Sequence, residues 1–321
     1  MFYYVKRFFR ELKDSSDAVK KLEVKGLKRI IVFFDILWCG YKYGAYAEDS
    51  LSLQFYGKPA KERKLYVTQG NKKLFFKCFY DDDARNVLGH KNLFSKRFAK
   101  YIHRDWLYTE DASEQEIKRF FAEHERVIVK PTDSTWGIGV GIKTLDDLDT
   151  ILKEVSQGHH YMVEEVLKNH PDVAKLNPDS LQTLRVETCL DSKGGFHLLN
   201  VLLMIGTKRT IVSNCHSGGV MCHVNMETGN VDMAGFNPQG WWAEKHPQTG
   251  VPFVGFHVPY IEQLEEYIKG VCQVMPNARY VGWDVAMTPT GLELIEGNFC
   301  PGQCTQTCDG IPKYEMLKSY L

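Results

Sequence analysis

The sequence has 321 residues, and its 40 Lys and Arg residues balance 40 Asp and Glu residues, so the formal net charge is zero. A neutral chain has no general electrostatic attraction to nucleic acid, and we expect no nucleic-acid partner. Hydrophobic residues make up 44% and charged residues 25%, which is typical of a globular protein and excludes long disorder. One hydrophobic core rarely serves a chain of this length, so more than one lobe is predicted.

The distribution of cysteine and of apolar residues predicts a cytoplasmic protein. Nine cysteines without regular spacing do not form a disulfide pattern and favour a reducing compartment. No apolar run approaches the ~20 residues of a membrane span, so we expect no integral membrane segment. Residues 1–14 turn to charge too early for a signal peptide. Their helical spacing of apolar and basic residues favours a helix packed on a core over one on a membrane surface.

Residues 1–90 are predicted to form a mixed helical and β N-terminal region. Residues 1–30 have helical character that ends near Gly26, whereas the apolar run Ile31–Gly40 fits a strand or a buried helix equally well. The segments Leu65–Thr68 and Lys73–Tyr80 are predicted to pair as a β-hairpin, because the Gly-Asn pair between them is common in turns.

Residues 91–168 predict a small lobe of helices and strands. Helices are expected from Lys91 to about Arg104 and over Ser113–Glu125, the second beginning with a capping box formed by Ser113 and Glu116. A strand over Arg126–Pro131, a glycine-bearing turn, a returning strand, a short helix over Asp146–Ser156 and a strand over Tyr161–Leu167 follow.

Residues 169–321 predict a larger lobe that mixes strands with one long helix. A connection rich in Pro and Asn, His170–Pro178, marks the boundary. Alternating strands and turns follow, including one over Thr210–His216, then a helix over Ile261–Gln273 and a final hairpin that turns at Pro289–Gly291.

The final hairpin carries the most informative polar residues. Asp284 lies on its first predicted strand, and Glu296 and Asn298 lie two residues apart on the second, so the latter two share a face and can lie opposite Asp284. Carboxylate and amide oxygens are ligands that Mg²⁺ takes together with phosphate oxygens. The neighbouring residues are apolar, which favours a metal site over a solvent-facing polar edge, since buried unpaired carboxylates are costly.

A second group follows the strand that ends at Lys130. Thr132 and Ser134 are followed by Gly137 and Gly139, a composition that lets backbone N–H groups and hydroxyls approach phosphate oxygens beside a fixed cation. The spacing matches neither common phosphate-loop pattern, so a tight hairpin with a surface lysine is the alternative. The acidic strand Tyr161–Leu167 fits a linker that receives a purine and its ribose.

In this order, the three groups resemble the ATP-grasp superfamily, which implies an α+β fold whose two lobes enclose ATP. The resemblance implies that Asp284, Glu296 and Asn298 bind Mg²⁺. The resemblance also implies three groups of residues that bind ATP. Those for the phosphates are Lys130, Thr132, Ser134, Gly137 and Gly139. Those for the adenine are Glu164, Glu165, Val166 and Leu167, and Asp172 is implied for the ribose.

The segments LNPDSLQTLRVET, SNCHSGGVMCHVNMETGNV and EGNFCPG further resemble the sugar-transfer-associated ATP-grasp family. That resemblance singles out Thr183 and Arg185, and Asn214 with Gly218 and Gly219. Arg185 is then expected to act in catalysis with Lys130 by neutralising the transferred phosphoryl group, and a structural ion pair is the alternative role for this residue. By analogy with an upstream lysine of the superfamily, Lys91 is expected to contact phosphate, with Lys96 as the alternative.

The resemblance implies an ATP-dependent ligase that joins a carboxylate to an amine through an acyl phosphate. The implied substrate is a sugar acid or amino acid in capsule or other surface-polysaccharide synthesis, with a nucleotide-linked or glycan sugar as a possible partner. Two alternatives stay open: a kinase of the same fold that phosphorylates a sugar or polyol hydroxyl, and an ATP-binding protein without turnover.

Overall fold

Two antiparallel sheets and a set of N-terminal helices make up the computed structural model, which describes residues 2–22, 24–132, 139–207, 215 and 218–321. The side chains of residues 2–5, 7 and 8 also lie outside the description. The helices are α1 Phe2–Lys21, α2 Leu27–Tyr43, α3 Ala47–Ser52, α4 Ala60–Arg63, α5 Lys72–Phe79, α6 Asp82–Gly89, α7 Lys91–Arg97, α8 Glu114–Glu123, α9 Leu148–Ser156, α10 Pro171–Ala174, α11 Ile261–Val274, α12 Thr305–Cys308 and α13 Tyr314–Ser319. The strands are β1 Trp106–Tyr108, β2 Val127–Pro131, β3 Gly141–Lys143, β4 Tyr161–Glu165, β5 Thr183–Leu190, β6 Phe196–Ile205, β7 Val220–His223, β8 Gly235–Asn237, β9 Trp241–Ala243, β10 Tyr280–Thr288 and β11 Gly291–Phe299.

The larger sheet, in the described part of the chain, has the order β11-β10-β5-β6-β7-β8-β9. One of its faces packs against α11, and the core between them includes Val186, Trp283 and Leu264. Alternate residues of β5, β10 and β11 therefore point away from this core, because side chains alternate across a strand. The polar face so produced is the one that carries the predicted metal ligands.

The smaller sheet has the order β1-β4-β2-β3. Its own core includes Ile117 and Phe121 of α8 with Val129 and Val163. By contrast, Phe98, just after α7, packs in the core of the larger sheet. The division at residues 90 and 168 stays a prediction.

The predicted hairpin in the N-terminal region is wrong, because Lys72–Phe79 is the helix α5. Phe75 and Phe79 are both buried, and their spacing of four residues places them on one helical face. The Gly-Asn pair serves the start of this helix instead. Asn71 Oδ1 accepts a hydrogen bond of 2.8 Å from Thr68 N–H, and Gly70 N–H donates to Gly44 O over 2.9 Å.

The ambiguous apolar run is helical and lies within α2. Val32, Ile36 and Cys39 are its buried residues, and they recur at the helical spacing of three and four. Gly26, with φ +62°, separates α2 from α1. The described residues before β1 contain helices and turns but no strand longer than the single bridge at Tyr80, so the β component expected there is absent.

Several local predictions are confirmed. Ser113 Oγ accepts a bond of 3.3 Å from Glu116 N–H, and Glu116 Oε2 accepts one of 2.7 Å from Ser113 N–H, which completes the capping box. The strand before Pro131, the helix from Ile261 and the final hairpin also form as expected.

Other elements differ from the prediction at their ends. The helix from Lys91 ends at Arg97 and is followed by a 3₁₀ turn over Ala99–Tyr101. The acidic strand ends at Glu165, before Val166. The strand expected over Thr210–His216 falls mostly outside the described residues. Within the described ranges, none of the helices has the length and apolar character needed to span a bilayer.

Candidate functional site

Three neighbouring strands place Arg185, Asp284 and Glu296 in one row. In the Cα register Asp284 of β10 lies opposite Arg185 of β5 on one side and opposite Glu296 of β11 on the other. Trp283, next to Asp284, is fully buried in the core of the opposite face. The sheet therefore presents one basic and two acidic side chains together on the face that points away from the core.

The side chains of this row contact one another. Both Arg185 Nε and Nη2 donate to the Asp284 carboxylate, Nη2 over 3.0 Å to Oδ2. Asn298 Nδ2 lies 3.2 Å from Asp284 Oδ2 and also 3.2 Å from Glu296 Oε1. Asn298 thus lies within hydrogen-bond distance of both other predicted metal ligands, and Arg185 lies against Asp284.

Electrostatics favour a cation at this position. Burial raises the pKa of Asp284 to about 6, with the nearby Glu296 carboxylate adding to the increase and Arg185 opposing it. Desolvation opposes the charge of the partly buried Arg185, but the Asp284 carboxylate raises the pKa of Arg185 in spite of it. Two carboxylates and an amide oxygen form a hard donor set that suits Mg²⁺. Rotation of the Asn298 amide about its Cβ–Cγ bond would direct its oxygen, in place of Nδ2, toward such an ion.

Lys130 and Glu164 form the second group, on the smaller sheet. Lys130 Nζ donates to Glu164, and Arg104 Nη2 lies 3.3 Å from the other carboxylate oxygen. Burial alone would raise the pKa of Glu164, but Lys130 and Arg104 together lower it to about 2. Glu164 therefore stays ionised and holds Lys130 at the end of β2.

The loop predicted to cover phosphates begins at this same end of β2. Lys91 Nζ lies 3.4 Å from Pro131 O, and Thr132 Oγ1 donates over 3.1 Å to His160 O. Gly139 has φ +75°, and a Cβ there would lie 2.9 Å from Pro131 Cγ, so both ends of the loop approach Pro131. Ser134 and Gly137 lie outside the described residues.

Lys91 fits the predicted phosphate contact better than Lys96. Lys91 begins α7 and reaches the end of β2, where Lys130 is. Lys96 forms an ion pair of 2.8 Å with Asp111 on the surface. The assignment of Lys91 to phosphate stays a prediction.

The residues predicted to receive adenine lie at the end of β4 and just after it, and the residue predicted to receive ribose lies in α10. Glu165 N–H donates to Asp105 O over 2.9 Å, while Val166 and Leu167 are half-buried after the strand has ended. Asp172 is exposed in α10, and Lys175 Nζ lies 2.6 Å from its Oδ1 and lowers its pKa. Among the described contacts, none joins Asp172 to the other residues predicted to bind ATP.

The backbone carbonyls of the two glycines singled out after β6 accept hydrogen bonds from side chains. Thr207 Oγ1 donates to Gly218 O over 2.6 Å, and Asn237 Nδ2 donates to Gly219 O over 2.6 Å. Asn214 lies outside the described residues. Thr183 begins β5 two residues before Arg185, so it shares the face of Arg185.

Arg104 is a central residue that the sequence reasoning missed. Its guanidinium bonds to Glu164 of the smaller sheet and, on the larger sheet, to Glu293 over 2.9 Å and to Leu294 O over 2.7 Å. It thus joins Glu164, the partner of Lys130, to the strand that carries Glu296. No sequence pattern marks an arginine whose partners lie 60 and 189 residues away.

Glu187 was also missed, although the alternation in β5 offered a signal. It lies two residues after Arg185 on the same face, and its side chain is fully buried. Lys313 Nζ donates to it over 2.6 Å, and Tyr280 Oη donates to its other oxygen. The C-terminal segment is thereby attached to the sheet next to Arg185.

A family model described as sugar-transfer associated ATP-grasp matches residues 71–311. The chain therefore belongs to the sugar-transfer-associated ATP-grasp family, as the sequence motifs suggested, and its α+β architecture is of the ATP-grasp type. The curated proteins include no match to the sequence.

Solved structures that resemble the chain do so distantly. They include D-alanyl-alanine synthetase A from Vibrio cholerae (13% identity, TM-score 0.43, covering 68% of this chain and 57% of that one). The ATP-grasp ligase PsnB with a phosphomimetic precursor variant, Mg and ADP has 12% identity and TM-score 0.47, over 75% and 62% of the two chains. D-alanine–D-alanine ligase from Helicobacter pylori has 15% identity and TM-score 0.46, over 74% and 63%. The chain spans less than two thirds of each.

Proposed function

We propose that this protein is an ATP-dependent ligase that activates a carboxylate as an acyl phosphate and couples it to an amine. The observation that supports the proposal most is the row of Arg185, Asp284 and Glu296 on one face of the sheet, with Asn298 bonded to both acids. Membership of the ATP-grasp family is the reason for proposing ATP as the nucleotide.

Asp284, Glu296 and Asn298 would hold Mg²⁺, which neutralises phosphate charge and orients the phosphoryl group. Lys130, kept in place by Glu164, and Lys91 at the same end of β2 would bind phosphate oxygens. The described backbone of Val166 and Leu167 follows β4 and would receive the adenine. Thr132 and Gly139 would anchor the loop over the phosphates.

In the first step a carboxylate oxygen of the substrate attacks the γ-phosphorus, the bond to the β–γ bridging oxygen breaks, and ADP leaves. Arg185 lies beside the acids, where its guanidinium would stabilise charge on the transferred group. In the second step the amine nitrogen attacks the acyl carbon, phosphate leaves, and the amine gives up a proton to phosphate or water. The products are an amide, ADP and phosphate.

The substrates we propose are a sugar acid or an amino acid and a small amine used in surface-polysaccharide synthesis. This part of the proposal is supported by the description of the family as associated with sugar transfer.

ADP release, measured for a panel of sugar acids and amino acids crossed with amines in the presence of Mg²⁺, tests the proposal. We expect ADP only where both a carboxylate and an amine are present, and loss of ADP release in Asp284→Asn and Lys130→Ala. Matched controls are Asp232→Asn and Lys143→Ala, whose side chains form pairs with His223 and Asp147 on the surface. A stable phosphorylated sugar formed without amine would instead identify a kinase, and nucleotide binding without any turnover would identify a binding protein.

A further inference from the structure

Helix α2 has an exposed apolar face that nothing in the proposed function uses. Six large apolar residues between Leu27 and Tyr41 are 52–85% exposed: Leu27, Ile30, Ile31, Phe34, Trp38 and Tyr41. We propose that this stripe, here called the α2 stripe, docks the protein onto an anionic membrane surface. The inference is independent of the ligase activity.

The α2 stripe lies on one side of the helix. Its members follow each other at spacings of three, one, three, four and three residues, which keeps them within about a third of the helix circumference. The opposite side of α2 carries Val32 and Ile36, which pack with Ala18 and Leu51 of α1 and α3. A helix that is apolar on both sides is normally covered on both sides, and the described chain covers only one.

Among the described residues, the exposed charged side chains of α2 and of the turn before it are all basic. The exposed residues Lys25, Lys28, Arg29 and Lys42 lie at the two ends of the helix. The one acid in α2, Asp35, is paired with Arg63 over 2.6 Å. Because the whole chain has zero net charge, this basic rim is a local feature, and it complements anionic lipid headgroups.

The residue types match the water–lipid boundary. Trp and Tyr favour that boundary because an apolar ring and a polar group share one side chain. The Trp38 and Tyr41 rings lie 5.8 Å apart, and Lys42 Nζ lies 5.5 Å from the Trp38 ring centre, so aromatic and basic groups occupy the same end of the helix. Seventeen residues with charges at both ends suit a helix lying along the surface.

A second copy of the chain is the competing occupant. In a symmetric dimer the same patch would face itself, and the basic residues at its ends would meet like charges. An anionic lipid surface removes that repulsion and adds attraction. The observations therefore favour the membrane over a self-association surface.

Cosedimentation of the full chain with vesicles tests the inference, using phosphatidylglycerol mixed with phosphatidylcholine and phosphatidylcholine alone. We expect binding to the anionic vesicles that weakens as salt is added. The variant Ile31→Ser/Phe34→Ser/Trp38→Ser should lower the partition coefficient by about tenfold or more. The control Tyr56→Ser/Trp241→Ser/Val254→Ser removes three apolar groups elsewhere that are 40–53% exposed, and it should bind as the unmodified protein does.

A second variant, Lys28→Glu/Arg29→Glu/Lys42→Glu, separates charge from apolar contact and should abolish the preference for anionic vesicles. Cooperative thermal unfolding of each variant shows that it is folded. Failure of the unmodified chain to bind anionic vesicles, or equal loss in the stripe and control variants, would overturn the inference. So would a dimer in sedimentation velocity that the stripe variant dissolves while no vesicle binding is seen.

Discussion

Arg185 and Asp284 lie opposite each other on adjacent strands, and two guanidinium nitrogens of Arg185 donate hydrogen bonds to the Asp284 carboxylate, with Nη2 3.0 Å from Oδ2. The pair places a permanent cation against the proposed metal ligand. Arg185 can therefore turn from Asp284 to a phosphoryl group only if another cation takes its place at the carboxylate. We therefore expect Arg185 to contact the phosphoryl group only when magnesium is bound at Asp284.

Replacing Arg185 by Lys should lower the turnover number by about 100-fold, because a lysine keeps the charge but loses the two-point contact. The affinity for ADP, measured by calorimetry, should change by less than about fivefold, since the proposed role of Arg185 is on the transferred group and not on ADP. Turnover within about twofold of the unmodified enzyme would show that Arg185 is structural.

Removing Arg104 should destabilise the protein by about 3–5 kcal/mol, because Glu164 and Glu293 would lose a shared buried partner. The change is Arg104→Ala, and the measurement is the free energy of unfolding in urea. The control Arg97→Ala breaks an exposed pair with Asp83 and should cost about 0–1 kcal/mol. Equal effects of the two changes would mean that Arg104 does not join the sheets energetically.

Asp49, which lies outside the candidate site, should make the stability of the protein depend on pH. Burial raises its pKa to about 7, opposed by the hydrogen bond from Gln69 N–H. Because the pKa of Asp49 is higher in the folded state than in the unfolded state, its protonation stabilises the fold. This contribution is fully present below the unfolded-state pKa of about 3.9 and is lost as the pH rises through about 7.

Asp49→Asn should therefore be more stable than the unmodified chain by a few kcal/mol at pH 8.5, and the difference should shrink as the pH falls below about 7. Urea unfolding at several pH values checks this expectation. The exposed Asp83→Asn is the control, because the pKa of Asp83 is lowered by Arg97. A difference for Asp49→Asn that stays constant with pH would contradict the account.

Glu187 and Lys313 should be strongly coupled. Both side chains are almost fully buried and lie 2.6 Å apart. Loss of Lys313 leaves the buried Glu187 without its cation, at a cost of about 3–5 kcal/mol, whereas loss of Glu187 leaves Lys313 with Asp309. The double variant Glu187→Gln/Lys313→Met should cost less than the sum of the single changes, which a double-mutant cycle measures. Additive effects would show that Glu187 and Lys313 contribute to stability independently. Asp309, which also contacts Lys313, is unchanged in every variant of the cycle.

The final hairpin was predictable from the sequence because strand alternation is a local rule. Two residues apart on one strand, Glu296 and Asn298 had to share a face, and the turn fixed Asp284 opposite. Lys130 and its strand followed from an apolar run ended by proline. These features need only near neighbours along the chain.

The N-terminal region was harder to predict, since the short aromatic run before Tyr80 fits helix and strand patterns alike. Tertiary burial of Phe75 and Phe79 decided for the helix. The role of Arg104 depends on partners that are distant in sequence, which periodicity cannot reveal. The exposed face of α2 was likewise invisible, because the sequence shows apolar residues and not what covers them.

The position of the metal in a crystal grown with Mn²⁺ and a non-hydrolysable ATP analogue tests the central claim most directly. The account predicts an anomalous peak within about 2.0–2.4 Å of oxygens from Asp284, Glu296 and Asn298 and bridged to phosphate oxygens. A metal bound to phosphate at another place, with Asp284 still held only by Arg185, would contradict it.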